Sequence, residues 1–491
     1  MAPRAVVWGL GRFGGGLGSI LELERRGFQV AIMDGAPPET LRSSLEELDR
    51  RGARVQRSLL PESPASLEAC DLLVLNPAIP PHHPLLRQWQ DSHAASSKTS
   101  QEINLLLERL PKSAPPQTLA VTGTNGKSST ATLLHLALQA LNAPTLLGGN
   151  IGHSLLLDPA PLDQAHHIVL ELSSFQCARL DTHSSPRLNG LILTPITSDH
   201  LSWHGDLSAY HSAKLHALHA LQKGTPIVFH PACPVGRRAG SLAVELGLRP
   251  IPAFQDRVQV SEQGELRLDG RPFFPGPWPC RGRFQRENLG LVLELLLALG
   301  KNPWDARSAL AAFTGLPHRL QDLGTQKGVS LIDNGISTVA ETTFSALRCL
   351  RDESAPGTNI HWVAGGKLKD QDLSPHLETC LPLCASAHFF GQAARAIEAH
   401  RPLQTPSSFH KALTDALEQA FSSAQCGDIL LFSPAFSSHD QYANFEERCQ
   451  EALHWWQSKS RKKSIQQDSS KGDHEKTPNM HHSKGLEQAE Q

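Results

Sequence analysis

Eight consecutive residues, Thr122-Gly123-Thr124-Asn125-Gly126-Lys127-Ser128-Ser129, restrict the fold of this chain more than any other segment. An apolar run over 119–121 precedes them and a helical pattern over 128–140 follows, so the segment reads as a strand, a tight loop and a helix. Its glycines let the backbone curl until successive N–H groups face one anion, and the helix N-terminus adds its positive dipole end. Gly123, Thr124, Asn125, Gly126 and Ser129 would then wrap the phosphates of ATP. Lys127 would neutralise β/γ-phosphate charge, and Ser128 would ligate Mg²⁺. The spacing departs from GxxxxGK[ST], because Val121 stands five positions before Gly126. A plain turn is the competing reading.

Such a corner belongs to parallel α/β sheets, and the rest of the chain alternates in the same way. At 491 residues the length suits about three domains. Residues 1–112 open with a strand over 5–8, the glycine-rich 9–18 and a strand over 29–34, a Rossmann-like βαβ unit ending at the Pro-rich 111–116. Residues 113–314 form the central P-loop domain on a mostly parallel sheet, with strands over 167–172, 190–193 and 226–229. An alternating stretch over 257–271 suggests a small antiparallel excursion within it. Gly315-Leu316-Pro317 marks a hinge into a third, C-terminal Rossmann-like domain over 315–457. After 458 almost no apolar residues remain, so an unstructured tail over 458–491 is expected.

A divalent cation at the loop needs further oxygen ligands. Glu171 ends an apolar strand and precedes Ser173-Ser174, at the carboxyl edge where open α/β sheets bind ligands. Asp199-His200 follows the next strand in the analogous position. A surface glutamate at a strand end remains the simpler alternative for Glu171.

Together these segments resemble the Mur ligase family, whose central domain carries GTNGK[ST], a Glu-Ser-Ser segment and a downstream Asp-His in that order. Gly148-Gly149-Asn150-Ile151-Gly152 matches the family segment between loop and glutamate. The resemblance extends over about residues 4–455. It implies an ATP-dependent amide ligase of three α/β domains that activates a carboxylate as an acyl phosphate. Its D-glutamate-adding branch is the nearest in pattern, through Gly9-Leu10-Gly11-Arg12-Phe13-Gly14 with Asp34, through Asn76-Pro77-Ala78-Ile79, and through Ser433-Pro434-Ala435-Phe436-Ser437-Ser438. That branch implies UDP-N-acetylmuramoyl-L-alanine and D-glutamate as substrates, with ATP and Mg²⁺.

By the same resemblance, Glu171, His200 and a carbamylated Lys214 on the helix carrying Tyr210-His211-Ser212-Ala213-Lys214 join Ser128 at the metal. Asn288 and Arg319 complete the ATP site, Arg319 entering when the third domain closes. Gly11, Asp34, Asn76 and Asn150 hold the UDP-sugar, while Thr338, Lys369, Ser438 and Phe445 grip D-glutamate. Without the family, Lys214 reads as an ordinary solvated lysine on a helix face. The chain also departs from the pattern. Asp333-Asn334-Gly335-Ile336-Ser337-Thr338 replaces Asn-Asp-Ser-Lys-Ala-Thr, Pro195 and Phe284-Gln285 stand where Asn and His-Asn are usual, and Lys367 replaces an Asp.

Composition narrows the alternatives. A net charge of −2 argues against nucleic acid as a partner, and no apolar run is long enough to span a bilayer. Nine cysteines without CxxC pairing suggest neither a disulfide framework nor structural zinc. A cytoplasmic monomer is expected. Three other readings remain open: a Mur-type ligase with another amino acid or acceptor, an NAD-dependent oxidoreductase built on Gly9, Gly11, Gly14 and Asp34, and a nucleotide-binding relative without catalysis.

Overall fold

The computed structural model describes residues 2–469 except 12–13, 69, 93–97, 183–187, 369–373 and 400–403. Its contacts divide into two compact units, Met1–Leu316 and Pro317–Gln491.

The first unit contains two parallel sheets. The N-terminal one comprises β1 (Arg4–Trp8), β2 (Gln29–Met33), β3 (Gln56–Leu60), β4 (Leu72–Leu75) and β5 (Lys98–Ser100), in the order β3-β2-β1-β4-β5. The second comprises β6 (Gln117–Thr122), β7 (Thr145–Gly149), β8 (His167–Glu171), β9 (Leu188–Leu193), β10 (Pro226–Phe229) and β11 (Arg249–Pro252), in the order β11-β10-β9-β6-β8-β7. The chain leaves β6 toward β7 and β8 on one side and toward β9 on the other, which is a topological switch point at the carboxyl end of β6. Alternate residues of these strands enter different cores. Leu119, Val121 and Val169 pack under helices Lys127–Ala140 and Arg283–Ala298, whereas Ala120, Ile168 and Leu170 share one apolar cluster with Val7, Ile20 and Ile32 of the N-terminal sheet. That shared cluster is why the contacts make one unit of 1–316, where the sequence predicts a division at 112. The antiparallel excursion is present as β12 (Val258–Val260), β13 (Leu266–Leu268) and β14 (Arg271–Pro272).

The second unit holds β15 (Gln321–Gln326), β16 (Val329–Asp333), β17 (Ile360–Gly365), β18 (Ser386–Phe390), β19 (Ser407–His410) and β20 (Ile429–Ala435), in the order β15-β16-β20-β17-β18-β19. All of its pairings are parallel except β15 with β16. One face of this sheet carries a polar seam. His361 Nε2 donates to Asp428 Oδ2 at 3.2 Å, and the Ser386 hydroxyl bridges His361 Nδ1 at 2.8 Å and His388 Nε2 at 2.7 Å. The Ser408 hydroxyl bridges His388 Nδ1 at 2.8 Å and His410 Nε2 at 2.7 Å. With Asp428 as the terminal acceptor, one assignment closes the chain: neutral His361 and His388 each donate through Nε2 and accept a serine proton at Nδ1, and His410 donates through Nε2 to Ser408.

The last helix runs Phe445–Ser469, so 458–469 is helical where the sequence predicts an unstructured tail. Lys, Arg and Gln are good helix formers that extend a helix already anchored by buried Cys449, Ala452, Trp455 and Trp456. Residues 470–491 lie outside the described set.

Candidate functional site

The loop after β6 is built for backbone donors and little else. Gly123 has φ +149°, and a Cβ there would fall 1.8 Å from Thr194 Oγ1; Gly126 has φ +84°, and its Cβ would fall 2.5 Å from Asn288 Oδ1. Asn288 therefore packs directly on the loop from helix Arg283–Ala298. Thr124 fastens the loop to the end of β9: its N–H donates to Pro195 O at 3.1 Å, and its Oγ1 accepts from Thr197 N at 2.9 Å. Tyr210 OH lies 2.7 Å from the same Oγ1. Buried Ser128 and Ser129 begin helix Lys127–Ala140.

Two lysines converge on this loop. Lys127 Nζ donates to Thr124 O at 2.7 Å, and Lys214 Nζ donates to Gly123 O at 2.6 Å. Lys214 is 1% exposed, which removes the solvated-lysine reading. Burial first, and then the nearby Lys127 charge, bring its ammonium down to about 7, partly opposed by Cys177, Asp199 and Glu171. A large share of neutral amine is thus present at neutral pH. Asp206 caps the helix that carries Lys214, accepting from Ala209 N at 2.8 Å, and Tyr210 packs beside the ammonium with Nζ 5.0 Å from its ring.

Glu171, the last residue of β8, is 2% exposed. Its Oε1 accepts from Asn150 Nδ2 at 2.9 Å, and Asn150 N donates to Glu171 O at 2.8 Å. Its Oε2 is buried and accepts no hydrogen bond among the described residues. A buried carboxylate oxygen without a donor is what a cation ligand requires, so the residues present fit a divalent ion. His200 begins helix Leu201–His204 with φ +52°, its ring 4.8 Å from Phe175 and its Nε2 3.3 Å from Asp199 Oδ2.

Beside this centre lies a cavity of about 670 Å³ lined by Gly9, Gly11, Gly15, Asn76, Glu102 and Asn150, among others. Asn76 and Gly11, expected from the sequence to hold the UDP-sugar, both line this cavity. Asp34 is not among the lining residues. Its Oδ2 accepts from Leu10 N at 2.8 Å and its Oδ1 from Ala36 N at 2.9 Å, so it holds the glycine loop in place rather than presenting its carboxylate to the cavity. Arg179 ties the two sheets together, donating to Asn76 O at 3.4 Å and to Ile79 O.

In the second unit, the ends of β16, β17 and β20 meet around Arg448, which is fully buried and donates to Phe436 O at 2.9 Å, Gly365 O at 3.2 Å and Gly335 O at 3.3 Å. This positions half-buried Thr338 and buried Ser438 on loops held by one cation. The Asp333-Asn334 order has a local reason: Asp333 Oδ2 pairs with His318 Nδ1 at 2.6 Å, and Asn334 Nδ2 donates to Ser433 Oγ at 2.9 Å. Arg319 is half-buried near the start of this unit, Phe445 opens the last helix, and Lys369 lies outside the described residues. Sequence reasoning missed Tyr210, Arg179, Glu102 and Arg448, whose partners are all distant in the chain.

The family model for the Mur ligase middle domain matches residues 121–240. A protein of Novosphingobium aromaticivorans named UDP-N-acetylmuramoylalanine--D-glutamate ligase is 30% identical over 457 residues, which is 91% of this chain and 92% of that one. Among solved structures, UDP-N-acetylmuramate-alanine ligase from Thermotoga maritima aligns with a TM-score of 0.56 at 17% identity, covering 93% of this chain and 99% of that one. A bifunctional folylpolyglutamate synthase/dihydrofolate synthase from Yersinia pestis, complexed with AMPPNP and a Mn ion, aligns with a TM-score of 0.51 at 16% identity over 71% of this chain and 96% of that one. Among the described residues, no helix is long and apolar enough to cross a membrane.

Proposed function

Because the chain belongs to the Mur ligase family, we propose that it joins D-glutamate to UDP-N-acetylmuramoyl-L-alanine at the expense of ATP. The observation that carries this reading is the convergence of Lys127, Lys214 and the donor-less Glu171 oxygen at the switch point of one parallel sheet. The full-length likeness to a D-glutamate ligase supports the choice of amino acid. In this reading residues 1–112 take the UDP-sugar, 113–314 the nucleotide and 315–457 the amino acid.

A carboxylate is a poor electrophile, so its oxygen first takes the γ-phosphoryl group of ATP, and the amine of D-glutamate then displaces phosphate from the acyl phosphate. The loop N–H groups orient the phosphates, and Lys127 exchanges its bond to Thr124 O for the γ-phosphate oxygens, offsetting charge that develops there. Ser128, Glu171, His200 and Lys214 would hold Mg²⁺, which would supply neutralisation of the phosphate charge. Asn150 fixes the carboxylate of Glu171 from the side facing the acceptor cavity. The neutral amine of Lys214 adds to CO₂ with loss of one proton, giving a carbamate whose oxygens suit a cation. Burial among Gly123, Tyr210 and Cys177 supports that reading, since a solvated lysine stays an ammonium.

The test is phosphate release from ATP with UDP-N-acetylmuramoyl-L-alanine and each of a panel of amino acids. Turnover is expected with D-glutamate alone. Ile336, in place of a family lysine, favours a shifted amino-acid preference as the second reading, and turnover with a different amino acid would replace the first with it.

A further inference from the structure

One acidic side chain in the cavity has no role in the chemistry above. Glu102 opens helix Glu102–Arg109, and its Cγ would lie 4.0 Å from a Cβ placed on Gly15, the first residue of helix Gly15–Arg25. Its Oε1 accepts from Ser154 Oγ at 2.5 Å, and Ser154 in turn packs on Gly18 of that same first turn, where a Cβ would fall 2.3 Å from Oγ. Glu102 therefore lines the cavity assigned to the acceptor, beside the N-terminal end of an eleven-residue helix. That end is also where backbone donors favour the acceptor's diphosphate. Two anions side by side in one cavity repel, and the repulsion is relieved when the weaker acid takes a proton.

Resting on the acceptor reading above, we infer that Glu102 binds the diphosphate in its protonated form, as a hydrogen-bond donor, so that acceptor binding takes up a proton. Burial already raises this carboxyl to about 7 and only the Ser154 hydrogen bond opposes it. Among the described residues, the arginines and glutamates of neighbouring elements pair as follows. Glu22 pairs with Arg25 and Arg26, and Arg26 also binds Glu108 and Leu105 O. Arg51 donates to Leu157 O, Arg179 to Asn76 O and Ile79 O, and Arg109 faces Asp163, while His153 is exposed. Ionised, Glu102 sets a second negative charge beside the diphosphate; protonated, it offers its own O–H.

Calorimetry of UDP-N-acetylmuramoyl-L-alanine binding to the full chain, with a non-hydrolysable ATP analogue present, tests this in buffers of different ionisation enthalpy. The expected result is about one proton taken up at pH 8 and an affinity that falls roughly tenfold between pH 7.5 and 8.5, with ATP-analogue affinity flat over that range. Glu102→Gln keeps the acceptor for Ser154 and cannot titrate, so it should bind without proton uptake and with a flat profile. Ser154→Ala removes the bond that lowers the carboxyl, so its profile should move to higher pH. Binding by the unaltered chain without proton uptake, or a profile unchanged in both variants, overturns the inference and leaves the acceptor reading standing. Absence of acceptor binding at every pH overturns both.

Discussion

Acidification should weaken the second unit through the His–Ser seam, and His388 should carry much of the effect. Its imidazole is held down to about 4 by burial first and then by His361 and His410, against 6.5 for the ordinary group. A base whose folded value is depressed binds more protons unfolded than folded, so stability is complete above the unfolded value and is lost as pH falls below 6.5. Between pH 7.5 and pH 5 the loss works out at about 2 kcal/mol, reaching about 3 kcal/mol only below pH 4. Residual solvent access lowers both figures somewhat. Geometry gives the reason: a second proton on His388 turns its Nδ1 from acceptor to donor, which forces the Ser408 hydroxyl to turn toward the N–H of His410. The assay is urea denaturation of the whole chain at pH 7.5 and pH 5, compared with His388→Gln. The variant should start less stable, by about 1–2 kcal/mol from the serine left unpaired, yet lose less on acidification. Equal acid-induced losses in the two proteins would refute the reasoning.

Two substitutions probe the catalytic centre. Gly123→Ala places a methyl group against Thr194 Oγ1 and Thr194 O at a φ that L-residues avoid, so it should destabilise the chain by about 2 kcal/mol or more and abolish binding of an ATP analogue, both measurable in one thermal-shift titration; wild-type nucleotide binding would contradict the loop geometry. Lys214→Ala should lose turnover and regain part of it with millimolar acetate, because a small carboxylate restores an oxygen in the vacated space, while Lys214→Arg should not respond; near-normal activity of the alanine variant without acetate would remove the carbamate.

Legibility in the sequence follows how local each signal is. The strand, loop and helix at 119–140 and Glu171 at the end of an apolar strand depend on neighbours a few residues away, and these elements lie where their patterns put them. β11 went unread because Arg249-Pro250-Ile251-Pro252 carries two prolines; it is an edge strand, where missing N–H donors need not pair. Asp34 shows a different limit. Its position after β2 is correct, but the same carboxylate can face a ligand or fasten a loop, and only the placement of Leu10 and Ala36 decides. Arg448 is the clearest case: in sequence it is one more charge on an amphipathic helix, and its burial becomes evident only once Gly335, Gly365 and Phe436 are brought around it. Glu102 and Tyr210 likewise gain meaning from partners 52 and 86 residues away.

The strand order of the central sheet also sets a schedule for synthesis. β6 is made first yet lies inside the sheet, pairing with β8 and β9, whose partner residues come about 50 and about 70 positions later. A chain emerging N-terminus first therefore carries the apolar ribbon Leu119-Ala120-Val121 with both ladders open until β8 is made, and with one still open until β9 has been translated. Late pairing of this kind makes folding slow and leaves a strand that can template on other copies. The helix Lys127–Ala140 follows β6 at once and can cover one of its faces, leaving the two hydrogen-bonding edges as the exposed ones. Aggregation of truncated chains should accordingly be worst for those ending between β6 and β9, and should fall once residue 193 is included.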